Sequence, residues 1–438
     1  PGCIFFALKG ETFDGNMFVE QALENGAAAC VTSDTKYASD ARCFVVADVQ
    51  ATLQALAQYH REHLHIPVVG ITGTNGKTTT KELVNAVLSK RYRTFATQGN
   101  FNNHLGVPLT LLSIPANTEI AIVEMGANHP GEIEFLCGIA QPDCGLITNC
   151  GKAHLEGFGS FEGVVRTKTE LYRFLSGRAS KEHPATIFVN SDSEVLMNEA
   201  QKIVSIPEIP SLCPAYVPNT TPDWNNLPPI GLVTYGGNEE SGVKGHLVGS
   251  NPYMKFYFED DDNVYSVQSH LVGDYNFPNA MAAVAVGLHF RVELFDIKEA
   301  IENYEPTNKR SQYKETAHNA LYLDCYNANP SSMQVSISNF AALKADNKVV
   351  FLGGMKELGE DSAKEHQAIV NRLGDCGFSR IILVGPEFEL PAKGLQGIEW
   401  FATSADAKDY FAAHPIEKAS ILLKGSNSTR MWVLEDVL

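Results

Sequence analysis

The sequence predicts an α/β protein with three domains, the middle one a P-loop-type domain built on a mostly parallel sheet. The chain has 438 residues, which is too many for a single hydrophobic core. From residue 67 onward, segments typical of strands and helices alternate, as they do in parallel sheets. Early in that alternation a glycine-containing loop separates an apolar strand from a helix, which is the arrangement of a phosphate-binding loop.

The N-terminal domain, residues 1–66, is predicted to be a small α/β unit. Short strands are expected at residues 4–8, 28–31 and 44–46, with helices at 18–23 and 52–63. Nothing in this unit indicates catalysis by its spacing. Pro67 marks the expected start of the central domain, which extends to residue 305.

The phosphate-binding loop is the strongest local signal of the central domain. The apolar run at 68–71 ends before two glycines, and a helical segment with one apolar face follows. Such a loop directs backbone N–H groups and the positive helix end at a phosphate. Lys77 is then placed to reach the β- and γ-phosphates, and the Thr78 hydroxyl to ligate Mg²⁺. The alternative is an ordinary strand–helix turn with a surface lysine. The expected nucleotide-binding residues of this loop are Gly73, Thr74, Asn75, Gly76, Lys77, Thr78 and Thr79.

Charge and composition limit the possible partners. The net charge of −17 argues against a nucleic acid or an acidic membrane surface as a partner. No apolar run is long enough to span a bilayer, so we expect no membrane insertion. The nine scattered cysteines show no metal-ligand or disulfide spacing and indicate a reduced, cytoplasmic protein. We expect a monomer.

Polar residues follow two strands predicted in the central domain. The strand at 120–123 is followed by Glu124, and the strand at 146–148 is followed by Asn149 and then His154. Ligands of parallel sheets lie at the carboxyl ends of the strands, so Glu124 is placed to contact a nucleotide-bound metal ion. A solvated carboxylate remains the alternative. His154 is either a hydrogen-bonded loop residue or a metal ligand.

Other segments of the central domain carry weaker signals. Lys168 lies on a predicted helix at 161–175 and is a surface lysine on composition alone. Residues 205–230 are rich in proline and predict a loop, and residues 243–272 predict a hairpin with an acidic turn. Asn279 precedes a predicted apolar helix at 280–290 and is either its N-cap or a contact of a base or ribose.

The third domain, residues 306–438, is predicted to be Rossmann-like. Its expected strands are residues 321–323, 349–352, 381–384 and 421–423, separated by helices. No Gly-x-Gly-x-x-Gly follows the first of these strands, so a second dinucleotide site is not expected. Arg310 lies in the linker and Asp324 at the first strand end, where a cleft should form. Each is either a site residue or a structural ion-pair partner.

Several motifs together resemble the Mur ligases of peptidoglycan synthesis, over nearly the whole chain. Residues 71–78 (ITGTNGKT) resemble the ATP loop of that family, including Ile71 where a standard phosphate loop has glycine. Three further motifs occur in the family order: EMGA at 124–127, NCGKAHLE at 149–156 and KTEL at 168–171. Three others resemble the family member that adds a dipeptide: GNFNN at 99–103, DCYNANP at 324–330 and KGS at 424–426.

The resemblance implies a function for each domain and a two-step reaction. The N-terminal domain would bind the UDP end of the substrate, the central domain ATP, and the C-terminal domain the incoming amine. ATP would phosphorylate the carboxylate of UDP-N-acetylmuramoyl-tripeptide, and the amine of D-Ala-D-Ala would attack the acyl phosphate. Positive charge would offset the charge of the transferring phosphoryl group. The catalytic residues implied are Lys77, His154, Lys168 and Arg310.

The resemblance also implies two Mg²⁺ ions. Thr78 and Glu124 would hold one ion, and His154 and Lys168 would serve the other. In that arrangement Lys168 carries a carbamate, because an ammonium group beside two cations is unfavourable and a carboxylate oxygen is the ligand that Mg²⁺ prefers.

The remaining site residues implied by the resemblance bind the nucleoside and the dipeptide. Asn276 and Asn279 match the adenine-binding pair, and Asp324 would lie near the ribose. Asn327 and Asn329, which follow a strand end facing the cleft, are expected to contact D-Ala-D-Ala through their amides.

The sequence departs from the family pattern at three places. Tyr275 replaces a histidine before the first adenine-binding asparagine, and Asn427 replaces the arginine after KGS. The Ser and Arg motif that normally precedes the position of Pro1 is absent, so we expect part of the uridine site to lie outside this chain.

Two other functions remain open from the sequence. A folylpolyglutamate synthetase is a related ATP-dependent ligase, but residues 324–330 resemble the dipeptide-adding ligase instead. A non-catalytic nucleotide-binding protein would have no need for a second metal site, whereas Glu124, His154 and Lys168 are all present.

Overall fold

Three β-sheets organise the part of the chain that the computed structural model describes, residues 2–204, 230–260, 263–307 and 309–438. They contain three, nine and six strands, and each sheet lies within one of the three units expected from the sequence. The predicted α/β fold class is therefore confirmed. No helix among these residues is both long and apolar enough to cross a lipid bilayer.

The N-terminal sheet is small and parallel, with its strands in the order β1-β2-β3. It packs a core that includes Ala7, Val19 and Cys30. The elements of this region are β1 (Ile4–Phe6), α1 (Val19–Glu24), β2 (Ala29–Thr32), β3 (Cys43–Val45) and α2 (Val49–His63).

Helix α2 connects the N-terminal sheet to the central domain. Asp48 caps its start by accepting a hydrogen bond from the Ala51 N–H. Ala57 is fully buried within the core of the central domain. Near the end of the helix, buried Arg61 lies 2.7 Å from the Asp143 carboxylate and donates to the Ala140 carbonyl at 2.9 Å. The C-terminal half of helix α2 is thus fixed to the central domain.

The central sheet has nine strands among the described residues, in the order β5-β6-β4-β7-β8-β9-β10-β11-β12. Pairing is parallel from β5 to β10, whereas β11 and β12 are antiparallel. The elements up to α9 are β4 (Val68–Thr72), α3 (Lys77–Leu88), β5 (Thr94–Ala96), α4 (Gly106–Leu112), β6 (Ile120–Glu124), α5 (Glu132–Ala140), β7 (Cys144–Ile147), α6 (Leu155–Phe158), α7 (Phe161–Lys168), α8 (Glu170–Arg178), β8 (Ala185–Asn190) and α9 (Glu194–Ile203). Those that follow are β9 (Ile230–Gly236), β10 (Val243–Ser250), β11 (Tyr253–Asp260), β12 (Asn263–Val272), α10 (Phe277–His289) and α11 (Leu294–Glu302).

Strand β4 determines where the site forms. All five of its residues are buried, and β6 and β7 flank it in parallel. The loop after β4 therefore opens between the carboxyl ends of these two neighbours. Helix α3 packs its apolar face, which includes Leu83, Val84 and Val87, into the core beside the sheet.

Three sequence predictions for this domain need correction or qualification. The helix predicted at 161–175 is two helices, α7 and α8, which meet at Thr169. The hairpin predicted at 243–272 is present as β11 and β12, and β10 precedes it as an additional strand. Asn279 is not an N-cap, because α10 begins two residues earlier, at Phe277. The proline-rich segment lies almost entirely outside the described residues.

The C-terminal sheet has the strand order β13-β14-β18-β15-β16-β17. Only the first pair is antiparallel, so the carboxyl ends of the other five strands share one edge. The four predicted strands are present, whereas β13 and β17 were not predicted. The elements are β13 (Gln312–Glu315), β14 (Ala320–Asp324), α12 (Pro330–Ala342), β15 (Lys348–Gly353), α13 (Ser362–Leu373), β16 (Arg380–Val384), α14 (Glu389–Ala392), β17 (Ile398–Phe401), α15 (Ser404–Ala413) and β18 (Ser420–Lys424).

Candidate active site

The loop between β4 and α3 follows a path that requires glycine at two positions. Gly73 and Gly76 have φ angles of 142° and 79°, which side chains rarely adopt. A Cβ atom at Gly73 would lie 2.0 Å from the Thr148 hydroxyl, and one at Gly76 would lie 2.6 Å from Asn279 Oδ1. The loop is therefore shaped by close contacts with β7 on one side and α10 on the other.

The residues that follow β7 hold the phosphate loop in place. Thr148 Oγ1 donates to the Asn75 carbonyl at 2.6 Å, and Asn149 Nδ2 donates to the same oxygen at 3.0 Å. Asn149 Oδ1 accepts from the Asn75 N–H at 3.0 Å. The Asn149 carbonyl accepts from the Thr74 N–H at 2.9 Å. The sequence identified Asn149 only as a strand end; its position beyond β7 was the signal for this supporting role.

Lys77 is half-buried and folds back over its own loop. Its Nζ donates to the carbonyls of Gly73 at 2.8 Å and Thr74 at 3.0 Å. Burial lowers the pKa of Lys77, repulsion by Arg310 adds to this effect, and Glu124 opposes it. In this structure the two carbonyls accept hydrogen bonds from the ammonium group of Lys77, which a bound phosphate would otherwise accept. The alternative of an ordinary surface lysine does not fit this position.

The structure brings together the two residues expected to hold the first Mg²⁺. Thr78 Oγ1 donates to Glu124 Oε2 at 3.0 Å, and both residues are buried. The other carboxylate oxygen accepts from Asn102 Nδ2 at 2.7 Å. A solvated carboxylate is thus excluded for Glu124. Asn102 was known from the sequence only as part of a motif, and the structure places its amide on the Glu124 carboxylate.

Lys168 is buried, with 2% of its surface exposed. Its Nζ donates to the Ala127 carbonyl at 3.3 Å and lies 5.2 Å from the centre of the Phe158 ring. Burial, with additional repulsion from Lys77, lowers the pKa of Lys168 to about 7. The expectation of a surface lysine from composition is therefore wrong. The reason is tertiary, because α7 ends with this side chain directed into the domain.

His154 shares the aromatic neighbour of Lys168. Its ring packs edge-to-face on Phe158, with the two centres 6.2 Å apart. Its Nδ1 lies 2.5 Å from Glu357 Oε2, which belongs to the C-terminal domain. Burial lowers the pKa of His154, Glu357 opposes this shift, and Lys77 and Lys168 reinforce it.

These residues fit Mg²⁺ held partly by a nucleotide. No group of three or more His, Cys, Asp or Glu side chains that could hold a metal ion occurs among the described residues. Mg²⁺ is commonly bound through one or two carboxylates together with substrate phosphates, so a complete protein cage is not required. The buried Thr78–Glu124 pair beside the phosphate loop provides oxygen ligands of this kind.

The two asparagines expected to bind adenine form a buried chain of hydrogen bonds. Asn279 Oδ1 accepts from Thr80 Oγ1 at 3.1 Å, and its Nδ2 donates to Asn276 Oδ1 at 3.0 Å. Asn276 Nδ2 in turn donates to the Val272 carbonyl at 2.9 Å. In this state their amides support the loop at Gly76, which contacts Asn279 closely.

On the C-terminal side, Asp324 and Arg310 have separate partners. Asp324 Oδ2 lies 2.7 Å from Lys424 Nζ and accepts from Ser336 Oγ at 2.7 Å. The Arg310 guanidinium stacks 3.7 Å from the centre of the Tyr326 ring. The structural ion-pair alternative therefore holds for Asp324, with Lys424 as its partner. A cavity of about 40 Å³ beside Asp324 lies between the two domains and extends to Tyr275 and Pro252.

Of the two residues expected to contact the dipeptide, Asn329 lies at the phosphate loop and Asn327 is exposed. Asn329 Nδ2 donates to Asn75 Oδ1 at 2.8 Å, and its Oδ1 caps α12 by accepting from the Ser332 N–H at 2.8 Å. Asn327 Oδ1 accepts from the Ala328 N–H. Asn329 is thus a direct link between the two domains.

Similarity to known families extends along the chain. Residues 1–72 match the Mur ligase family catalytic domain, residues 71–207 the Mur ligase middle domain, and residues 309–427 the Mur ligase glutamate ligase domain. These three segments correspond in order to the three units of the fold.

Curated relatives and solved structures give the same result. The UDP-N-acetylmuramoyl-tripeptide–D-alanyl-D-alanine ligase of Bacillus subtilis is 35% identical over 82% of this chain and 71% of its own length. The Escherichia coli ligase of the same name is 31% identical over 98% of this chain and 89% of its own. A MurF crystal structure from Acinetobacter baumannii has a TM-score of 0.82 and 30% identity, covering 99% of this chain and 89% of that one. The MurF ligase of Thermotoga maritima, solved with ADP, has a TM-score of 0.82 and 28% identity, covering 100% of this chain and 94% of that one. The chain therefore belongs to the Mur ligase family.

Proposed function

We propose that this chain is the ATP-dependent ligase that joins D-Ala-D-Ala to UDP-N-acetylmuramoyl-tripeptide in peptidoglycan precursor synthesis. The observation that carries the proposal is the convergence of three features at one edge of the central sheet. These are the phosphate loop with Lys77, the buried Thr78–Glu124 pair, and buried Lys168 beside His154. The relatives named for this reaction align over most of the chain.

The residues suit the activation of a carboxylate by phosphorylation. A carboxylate is a poor electrophile, and its acyl phosphate provides a leaving group for attack by the dipeptide amine. Lys77 and Arg310 would offset negative charge on the transferring phosphoryl group, and Asn279 would keep the loop backbone close to it. Mg²⁺, when bound, supplies further charge neutralisation at the phosphate oxygens.

Lys168 is proposed to act as a carbamate. The neutral Nζ would attack the carbon of CO₂, form an N–C bond and release one proton, leaving an anionic carbamate. A pKa of about 7 supports this reaction, because a large fraction of the lysine is then neutral near neutral pH. No ion pair of Lys168 occurs among the described residues, so a carbamate would not break one.

The substrate contacts, domain limits and cellular context are part of the same proposal. We propose that Asn327 contacts D-Ala-D-Ala, since it is exposed at the carboxyl end of β14. Asn329 would be available to the dipeptide only when its link to the phosphate loop opens. We further propose domains at 1–66, 67–305 and 306–438, a monomeric state and a cytoplasmic location.

A coupled assay of ADP release tests the function. With UDP-N-acetylmuramoyl-tripeptide present, we expect ADP release to depend on D-Ala-D-Ala, and Lys77→Met to abolish it while the circular dichroism spectrum stays unchanged. ADP release that requires a folate and glutamate would indicate a folylpolyglutamate synthetase. Nucleotide binding without turnover under all conditions would indicate a non-catalytic protein.

A further inference from the structure

A short loop after β15, residues 354–359, reaches from the C-terminal domain to the central domain. Its own domain holds it firmly. The Met355 N–H donates to His366 Nε2 at 2.9 Å, and the Gly354 carbonyl accepts from Ser426 Oγ at 2.7 Å. Met355 and Leu358 are buried. The position of the residues between these anchors is therefore set by the fold of the C-terminal domain.

Glu357 lies between the two buried anchors in a strained conformation. Its φ angle is 62°, in the left-handed region that side chains with a Cβ rarely adopt. Its Oε2 lies 2.5 Å from Nδ1 of His154, across the domain boundary. The approach is close along the loop, since a Cβ atom at Gly359 would lie 3.3 Å from Glu156. Backbone strain of this kind persists only where surrounding contacts enforce it.

We propose that Glu357 is a positioning residue that orients the His154 ring for the second Mg²⁺, and that this support is present only when the C-terminal domain is docked. The inference rests on the proposed function, which assigns His154 to that ion. A histidine ligand commonly donates its other ring N–H to a carboxylate, which fixes both the tautomer and the ring orientation. In this structure Nδ1 lies 2.5 Å from Glu357 Oε2 but is not aligned with it as a hydrogen bond. A small rotation of the ring would let the Nδ1–H donate to the carboxylate and leave the Nε2 lone pair available to a metal ion.

This arrangement has a consequence for the order of events. The first Mg²⁺ position, at Thr78 and Glu124, is formed within the central domain alone. At the second position, one of the two proposed ligands, His154, would take its orientation from a residue of the other domain. Glu357 would thus make the second metal site complete only in the docked arrangement, in which the amine-binding domain is also present.

The test measures Mn²⁺ binding by electron paramagnetic resonance, with the full chain and a non-hydrolysable ATP analogue. We expect the wild type to bind two ions. Glu357→Ala should lower the affinity for the second Mn²⁺ ion about 10–100-fold and leave the affinity for the first unchanged. This is the usual effect of removing a carboxylate that accepts a hydrogen bond from a histidine ligand. Glu357→Gln, whose amide oxygen can still accept from Nδ1–H, should give an intermediate loss. Glu360→Gln, an exposed glutamate three residues away, is the matched control and should match the wild type.

A double variant shows whether Glu357 acts through His154. Adding Glu357→Ala to His154→Ala should cause no further loss of the second ion, because the oriented ring is already absent. Three results would each overturn the proposal. They are an additive loss of affinity in the double variant, an unchanged affinity for the second ion in Glu357→Ala, and binding of only one ion by the wild type. The Gln variant keeps the size of the side chain, which guards against failure to fold. These binding measurements need no dipeptide, so they remain informative if the ADP-release assay fails to support the proposed function.

Discussion

At the residue scale, buried Lys168 has the largest expected effect on activity. If it works as a carbamate, Lys168→Ala removes a carboxylate from the second metal site, and short carboxylic acids added to the assay should restore part of the lost turnover. Lys168→Arg retains a positive charge that CO₂ cannot modify, so it should be inactive and not rescued. Turnover is measured as ADP release with and without acetate or formate. Full activity of the arginine variant would show that no carbamate is needed.

The same lysine predicts a pH-dependent stability. Its pKa is about 7 when folded, against an ordinary value of 10.5, so between these values the unfolded chain holds a proton that the folded chain has released. Stability of the wild type therefore rises with pH across this window. Lys168→Met has no such titration. We expect its stability advantage over the wild type to be greatest at or below about pH 7 and to shrink toward pH 10.5.

Urea unfolding in CO₂-free buffer, at pH values from neutral to mildly alkaline, measures this difference. Removing CO₂ is necessary because a carbamate would remove the titrating amine. A difference in the free energy of unfolding between the two proteins that stayed constant with pH would contradict the lowered pKa of Lys168.

At the element scale, the start of α12 performs two tasks through one side chain. Asn329 caps the helix with Oδ1 and holds Asn75 of the phosphate loop with Nδ2. Asn329→Asp keeps a capping oxygen but places a second acceptor opposite the Asn75 oxygen. Asn329→Ala removes both interactions. We expect both variants to reduce ATP turnover, and only the alanine variant to lose about 1 kcal/mol of stability from the missing cap.

Helix α15 offers a matched control for that pair. Thr403 caps α15 through a capping box and follows β17, the last strand of the sheet and the farthest in strand order from β13 and β14. Thr403→Ala should lower stability and leave turnover unchanged. Thermal unfolding and ADP release are measured for all three variants. Wild-type turnover in Asn329→Asp would show that the link to Asn75 is not used in the reaction.

Elements were predictable where the signal was local. Strand β4, its loop and α3 have an apolar run, glycines and a helical face in immediate succession, and the structure shows each of them. Strands β13 and β17 were missed because four residues such as Gln-Tyr-Lys-Glu carry no clear alternation of apolar and polar side chains. Their pairing with neighbours distant in sequence defines them, and a local pattern does not contain that information.

The site was predictable in its residue types and less so in its contacts. The motif at 124–127 predicted a carboxylate near the phosphate loop, and Glu124 lies there. Lys168 was misjudged from local pattern, because burial depends on which elements pack against it. For Asn279 the local pattern left two alternatives, and the start of α10 at Phe277 excludes the N-cap. The contact between Glu357 and His154 joins residues about two hundred positions apart, and no spacing within either motif indicates it.

At the scale of the whole molecule, the C-terminal domain should move as a unit. Its contacts with the central domain include polar pairs, such as Asn329 with Asn75, and the Asp274 N–H with Asn339, and one edge-to-face ring contact between Tyr253 and Tyr313. Interfaces between domains of one chain permit relative motion unless they are large and hydrophobic. The linker at 306–311 is the expected hinge, and Lys309 and Ser311 within it have left-handed φ angles of 55° and 49°.

Small-angle scattering measures this motion. We expect the radius of gyration to decrease when an ATP analogue and UDP-N-acetylmuramoyl-tripeptide are added together. The closing motion itself should take microseconds to milliseconds. Asn329→Asp should show a smaller decrease, because it lacks one of the contacts of the docked state. Identical dimensions with and without the ligands would count against closure.

At the N-terminal end of the molecule, helix α2 is attached to the central domain and is not expected to move relative to it. It has 15 residues, about 22 Å of helix, and Ala57 and Arg61 fix it to the central domain. The helix is therefore fixed against the central domain, whatever the position of the C-terminal domain. If the N-terminal sheet stays fixed to this helix and anchors the nucleotide sugar, the distance from that sheet to the phosphate loop is constant, and only a peptide of the right length brings its terminal carboxylate to the phosphates. Selection for a tripeptide would then be a matter of reach, and lengthening α2 by one turn should shift the preferred peptide length.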